Sequence, residues 1–113
     1  QRIKAQAALA RAESELRWLE DQVRADVRDA ASAVRAAAGA LDAVAAEATL
    51  ARELEQLERD RFMLGDSTQF LVNLRELATA DAAVREIRAR ADLHKARAAL
   101  DAAIGTLAGP AAP

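Results

Sequence analysis

The side chains of this chain that could do chemistry are one histidine, a few hydroxyls, the carboxylates and a lone turn glycine, and no active centre assembles from them. His94, the single histidine, sits in Asp92-Leu93-His94-Lys95. It has no second histidine or cysteine at a ligand spacing, whereas a metal site needs three or four converging donors. There is no cysteine, which removes a disulfide framework, a thiol nucleophile and a thiolate metal site together. Ser67 has no base at a readable spacing to activate it. The 18 Asp and Glu residues are interleaved with 16 Lys and Arg. On long helices that pattern is a solvated, salt-paired face rather than a carboxylate pair for acid–base catalysis. Gly65 alone makes no phosphate-cradling loop, and Trp18 reads as a packing anchor between helices. The chain therefore reads as non-enzymatic, with no catalytic residue, no metal and no cofactor.

The elements that would position any partner surface are helical. Alanine fills 32 of 113 positions, aromatics make up 3%, and both prolines fall in the last four residues. Such Ala, Arg, Glu and Leu enrichment without internal proline is the signature of long helices. A net charge of −2 with no uniformly basic face argues against a nucleic acid or an anionic membrane as partner. No run approaches the roughly 18 uncharged apolar residues of a membrane span. A chain that opens on Gln1, with no signal-peptide pattern, leads us to expect a segment of a larger protein.

One interruption organises everything else: Arg61-Phe62-Met63-Leu64-Gly65-Asp66-Ser67-Thr68-Gln69-Phe70. Gly65 can close a helix in the left-handed conformation, and Asp66, Ser67 and Thr68 are all good N-caps for a new one. Asp66 with Gln69 three residues on is a variant of the capping box. A connection this short makes the two helices antiparallel. The sequence thus predicts an all-α fold, a long antiparallel two-helix coiled-coil hairpin with unequal arms. The first helix is expected over about 2–64, the turn over 65–67 and the second helix over about 68–104. Gly105 is its expected stop, with a flexible tail over 106–113.

In the first arm large apolar residues recur at sevens, Leu9, Leu16, Val23, then after a step of four Val27, Val34 and Leu41. That step is a stutter in a coiled-coil seam. Leu50, Leu54 and Leu57 are expected to carry the stripe on to the tip. Between Arg35 and Arg52 alanine covers most of the surface, so burial from more than one side and a close backbone approach at Gly39 are expected. The second arm carries two stripes. Phe70, Leu77, Val84, Ala91 and Ala98 form one, while Ile87, Leu93, Leu100, Ile104 and Leu107 lie off that line. Two stripes imply neighbours on both sides, as in a bundle, sheet or tube of helices. Folding back at Gly65 leaves about the first 24 residues unpartnered, so self-association is expected.

Several stretches together resemble the outer-membrane efflux protein (TolC-type) family. They are Val23-Arg24-Ala25-Asp26-Val27-Arg28-Asp29-Ala30, the turn Arg61 to Thr68, Val72-Asn73-Leu74-Arg75-Glu76 and the closing Ala102-Ala103-Ile104-Gly105. The similarity spans about Gln1 to Gly105. Differences stand beside it: Phe62 replaces a common Tyr, Asp66 a common apolar residue and Leu71 a common acidic one. The resemblance implies a homotrimeric export channel in the outer membrane of a Gram-negative bacterium. This segment would be the second periplasmic hairpin of one protomer, part of a tunnel of helices. It implies a periplasmic adaptor protein and an inner-membrane transporter of a tripartite pump as partners. Carried over, Leu64, Gly65, Asp66 and Ser67 are the adaptor-contact candidates at the tip. Asp60, Phe62 and Asp66 are the entrance candidates, with Asp60 and Asp66 able to form an acidic ring by trimer symmetry. Two other readings fit the composition: the α-hairpin of a periplasmic adaptor (membrane fusion) protein, and a purely structural coiled-coil scaffold segment.

Overall fold

The computed structural model describes residues 1–108. Two helices account for nearly all of them, α1 over Arg2–Met63 and α2 over Gln69–Ala108. They fold back on each other into a rod of 95 × 28 × 15 Å. This is the all-α antiparallel hairpin that the sequence predicts, with arms of 62 and 40 residues.

The reversal is built from two hydrogen-bonded caps. Leu64 ends α1, and Gly65 takes a left-handed φ of 84°. The Gly65 N–H donates to the Phe62 carbonyl at 3.0 Å and the Asp66 N–H to the Arg61 carbonyl at 2.8 Å. That pair of bonds is a Schellman closure, which satisfies carbonyls the helix end would otherwise orphan. It also fixes Asp66 as part of the α1 ending. The first residue free to cap α2 is therefore Thr68, whose Oγ1 accepts the Leu71 N–H at 3.2 Å. The expected Asp66–Gln69 capping box is replaced by this single cap, and Gln69 Nε2 donates to Asn73 Oδ1 at 2.9 Å instead. The connection accordingly spans 64–68 rather than 65–67.

The far end of α2 also departs from expectation. Gly105 does not stop the helix, which runs through it to Ala108. Gly105 keeps a negative φ, whereas the stop requires the left-handed one. A helical glycine costs only about 1 kcal/mol, which the flanking turns outweigh. The expected tail is thus helical over 106–108, and 109–113 lie outside the described residues.

Burial shows which positions form the seam. On α1 the buried and half-buried line runs Val23, Val27, Ala30, Val34, Ala37, Leu41, Val44, Ala48, Ala51, Glu55, Glu58. Its steps alternate between four and three without a break, the 3.5-residue repeat of a coiled coil. On α2 the matching line is Val72, Thr79, Ala82, Glu86, Ala89, Leu93, Ala96, Leu100, Ala103. Thr79 adds a hydrogen bond across the seam, its Oγ1 donating to the Ala51 carbonyl at 3.2 Å. The interior is made largely of small side chains, and its buried apolar members are Ala48, Val72, Ala82, Ala89 and Leu93.

Three expectations about the arms are corrected by this seam. Leu50, Leu54 and Leu57 are exposed, because they precede the seam positions 51, 55 and 58 by one residue, about 100° around the helix. No stutter occurs within the paired region; the break in the large-residue pattern falls at Val23, where pairing begins. The alanine-rich middle of α1 is buried on one side alone, and at Gly39 nothing lies within 4 Å of where a Cβ would stand. Residues 1–22 are exposed throughout, so the expected overhang is present.

The two glycines should respond with opposite signs. Gly65→Ala meets no obstruction but must hold a left-handed φ. It should therefore lower stability by about 1–2 kcal/mol. Gly39→Ala, in an open helical position, should raise it by roughly 0.5–1 kcal/mol. Urea midpoints at unchanged slope measure both.

Candidate docking surfaces

The tip gathers the residues singled out from the sequence. Leu64 and Asp66 are exposed, and so are Gly65 and Asp60. Met63 and Leu64, at 82% and 78% exposure, make its apex apolar. Phe62 is partly covered. Asp60 accepts a hydrogen bond from Gln56 Nε2 at 3.0 Å. Ser67 differs from the other contact candidates: it is half-buried, and its Oγ is withdrawn from solvent with no hydrogen-bond partner among the described residues. Its hydroxyl is therefore turned away from any incoming partner.

Beneath the apex, one residue the sequence reading passed over holds the tip together. Glu58, at 5% exposure, is the one buried charged residue among those described. Arg61 Nη1 pairs with its Oε2 at 3.3 Å, while Arg61 Nη2 donates to the Asp66 carbonyl at 3.1 Å. One guanidinium thus neutralises the buried carboxylate and ties the last turn of α1 to the connection. The planar fork of arginine allows this; a lysine ammonium offers no such fixed pair of donors.

The two broad faces of the rod differ near the tip. In the seam's heptad, Leu50, Leu54 and Leu57 of α1 share a face with Leu71, Leu74 and Ala78 of α2. An open groove of about 250 Å³ runs there, lined by Leu50, Ala51, Leu54 and Ala78 with Glu47, Arg75 and Arg85 at its margins. An Arg85–Glu47 ion pair at 3.7 Å bridges the helices beside it. The opposite face is polar. There Arg59 lies between Glu55 at 3.3 Å and Glu76 at 2.9 Å. The hydrogen bond that Arg59 donates to Glu76, and then the charge of Glu55, raise the guanidinium's pKa above its ordinary value. Arg52 and Gln56 line the same side of α1, and Gln69 and Asn73 the same side of α2.

The outer edges differ as well. On α2 the stripe Phe70, Leu77, Val84, Ala91, Ala98 falls half a turn from the seam, on the side facing away from α1. Phe70 and Leu77 are 69% and 59% exposed. The second stripe on α2 is the seam itself, carried by Leu93 and Leu100, while Ile87 and Ile104 stay exposed. On α1 the corresponding outer edge is small and polar: Ala25, Ser32, Gly39, Ala46, Glu53. His94 is exposed, and among the described residues no group of three or more His, Asp or Glu could hold a metal ion. Among the same residues no helix is long and apolar enough to cross a membrane.

Comparison with protein-family models, with curated proteins and with solved structures returns no match.

Removing the Arg61 fork should loosen the tip. Arg61→Ala leaves the Glu58 carboxylate buried without its cation and frees the Asp66 carbonyl, so a loss of about 1–2 kcal/mol is expected by urea unfolding. Arg61→Lys should recover only part of it. Faster amide exchange should be confined to residues near 60–72.

Proposed function

We propose that this hairpin is a stave of a helical tube, and that the tube is the periplasmic tunnel of an outer-membrane export channel of the TolC type. One observation carries the reading: α2 presents two apolar faces half a turn apart, and α1 covers just one of them. A helix in a free-standing two-helix hairpin has use for one apolar stripe. A helix in a wall has a neighbour on each side.

The edges also suit such a wall. With the chain reversing near Gly65, Val84 stands at the height of Ala46, and Ala91 at the height of Gly39. If the large edge of α2 meets the small edge of α1 in the next hairpin, Val84 fills space beside Ala46, Ala91 meets Gly39, and Leu77 lies along the stem of Glu53. This contact joins two different surfaces of the same unit, and a heterologous contact closes into a ring when its rotation permits. The exposed Gly39, which has no role inside the hairpin, would then allow the close approach of the neighbouring helix.

In this reading the tip, with Leu64, Gly65 and Asp66 outermost, is where a periplasmic adaptor would dock. Asp60 and Asp66 would repeat around the entrance. Ser67 contributes to turn geometry rather than to contact, and Phe62 offers an apolar ring without a hydroxyl. The lengthwise polar face and the leucine-bearing face would be the two surfaces of the wall. Transport would then follow from assembly and from movement of the tips, with no bond made or broken.

The test is whether the outer stripe drives side-by-side assembly. At tens of micromolar, sedimentation equilibrium of the chain should show association. Leu77→Asp with Val84→Asp should raise the association midpoint by on the order of tenfold or more, because each places a charge in an apolar contact, with helicity unchanged by circular dichroism. An unchanged midpoint would remove the basis of the stave reading. A cysteine at Leu64 in the export protein that carries this segment should cross-link to an adaptor in intact cells. Failure of that arm alone would leave the wall and remove the docking role.

A further inference from the structure

The two broad faces of the paired hairpin differ in charge along their length, not only near the tip. In the seam's heptad, Arg28, Arg35, Arg52 and Arg59 of α1 and Arg90 and Arg97 of α2 fall on the polar face. The acids on that face over the same span, residues 28–101, are Asp42, Glu76 and Asp101. Six arginines against three carboxylates leave it at +3. On the leucine-bearing face over the same span four acids offset four bases, among them Arg88 and Lys95. The chain as a whole carries −2. Read along the sequence the charges alternate, and only the phase set by the seam sorts them by face.

Across the seam on this face, arginine stands against alanine. At the tip Arg59 meets Glu76. Stepping back seven residues at a time along each helix, the equivalent pairs are Arg52 with Ala83, Arg90 with Ala45 and Arg97 with Ala38. Ala38, Ala45 and Ala83 are half-buried although they stand off the seam line. An arginine stem lying across each alanine, with its guanidinium out in water, accounts for that cover. On the leucine-bearing face the corresponding position carries the Arg85–Glu47 ion pair instead. Arg90 pairs only with Glu86 of its own helix at 3.3 Å, and Arg35 and Arg52 donate to the hydroxyls of Ser32 and Thr49. Arg28, Arg35, Arg52 and Arg97 make no ion pair with any described residue. Below the tip the face therefore keeps its cations without acids from the facing helix to neutralise them.

We infer that this arginine face is the inner surface of the tunnel wall and that the tunnel favours anionic cargo. The inference rests on the tube reading and gives it an inside and a substrate class. Repeated around a ring, the arginines at each height become belts of positive charge, the arrangement that selects anions in pores. Across a water-filled lumen with low-dielectric walls such belts reinforce one another and raise the local concentration of anions. On the outside of a tube the same charges point apart and are screened within about 8 Å at physiological ionic strength. The leucine-bearing face, without net charge and with an open apolar groove, is then the outer one. Leucines along a conduit would hold apolar solutes back, whereas a hydrated charged face lets ions pass.

Two measurements separate the charge claim from the tube. The chain has no cysteine, so a single one introduced at an exposed site reports the local potential. His94→Cys lies between Arg90 and Arg97 on the polar face, and Ala36→Cys lies on the leucine-bearing face. Each is treated with a sulfonate-bearing and a trimethylammonium-bearing thiosulfonate, and the two rates are compared as a ratio. The sulfonate-to-ammonium ratio should be roughly threefold or more higher at position 94 than at 36 in low salt. It should fall toward the value at 36 when Arg90→Gln and Arg97→Gln are added, or in high salt. Equal ratios at the two sites overturn the charge claim whatever the assembly. The second measurement is the reversal potential, in a potassium chloride gradient, of the reconstituted export protein that carries this segment. The intact channel should prefer chloride, and Arg35→Glu with Arg97→Glu should shift the permeability ratio toward potassium by about threefold or more. The matched pair Arg88→Glu with Lys95→Glu should leave it unchanged. A shift from the matched pair alone, or an equal shift from both pairs, overturns the inner-face assignment and leaves the tube standing. A cation-preferring intact channel overturns the anionic cargo. No shift from either pair means that this hairpin lines no pore, and the tube reading falls with the inference.

Discussion

The structure depends on a seam that small side chains make close but energetically thin. From Val23 to Ala51 the α1 line holds valine, alanine and one leucine, and from Thr79 on α2 answers with alanine at every second position. Alanine lets two helices approach, yet each buried methyl contributes little, because hydrophobic stabilisation scales with the apolar area removed from water. Against the two large buried side chains, Val72 and Leu93, stand eighteen large apolar side chains left exposed among the described residues. The hairpin therefore has a well-defined register and a small reserve of stability. Most of its larger apolar groups lie outside the seam.

The seam also explains why the hairpin is asymmetric around its axis. Because the two helices use up one narrow line each, residues one step off the line are free to differ on the two faces. Leu50, Leu54, Leu57, Leu71 and Leu74 fall to one side, and the Arg59–Glu55–Glu76 cluster falls to the other. On the outer edges, the large side chains are on α2 and the small ones on α1. An element with four distinguishable sides can be placed in an assembly in one orientation only. That is a property of heptad arithmetic, since six or seven angular positions are distributed among a seam, two faces and a back.

Much of the fold was legible in the sequence, and the misses have a common physical cause. Gly65 in a helix-rich chain announced the reversal, because the left-handed conformation has a steep cost for any residue with a Cβ. The overhang followed from counting. Reading the seam from large residues failed, since it put Leu50, Leu54 and Leu57 inside and gave no weight to Ala48, Ala82 and Ala89, which are the buried ones. A period-3.5 scan that scored alanine as apolar would have found the line from Val23 to Ala51. Glu58 escaped because buried carboxylates are rare, although its place on the same 4–3 line marks it. Gly105 misled because a glycine stops a helix only if it takes positive φ, and nothing in its neighbourhood demands that. Asp66 misled because the cap is chosen by where the previous helix closes, and that is settled by backbone bonds at Arg61 and Phe62.

After Ala51 the α1 line becomes Glu55 and Glu58, so the apolar line on α1 stops about four turns short of Gly65. The tip is consequently held by other means: the Schellman bonds, the Thr68 cap and the Arg61 fork. These are directional, short-range interactions, and they fix the turn without relying on the packing further down. A change in how the shafts pack need not alter the tip, and a contact at the tip need not reach the shafts through the core. In the proposed tube, such a division would let the end meet a partner while the shafts stay packed on their neighbours.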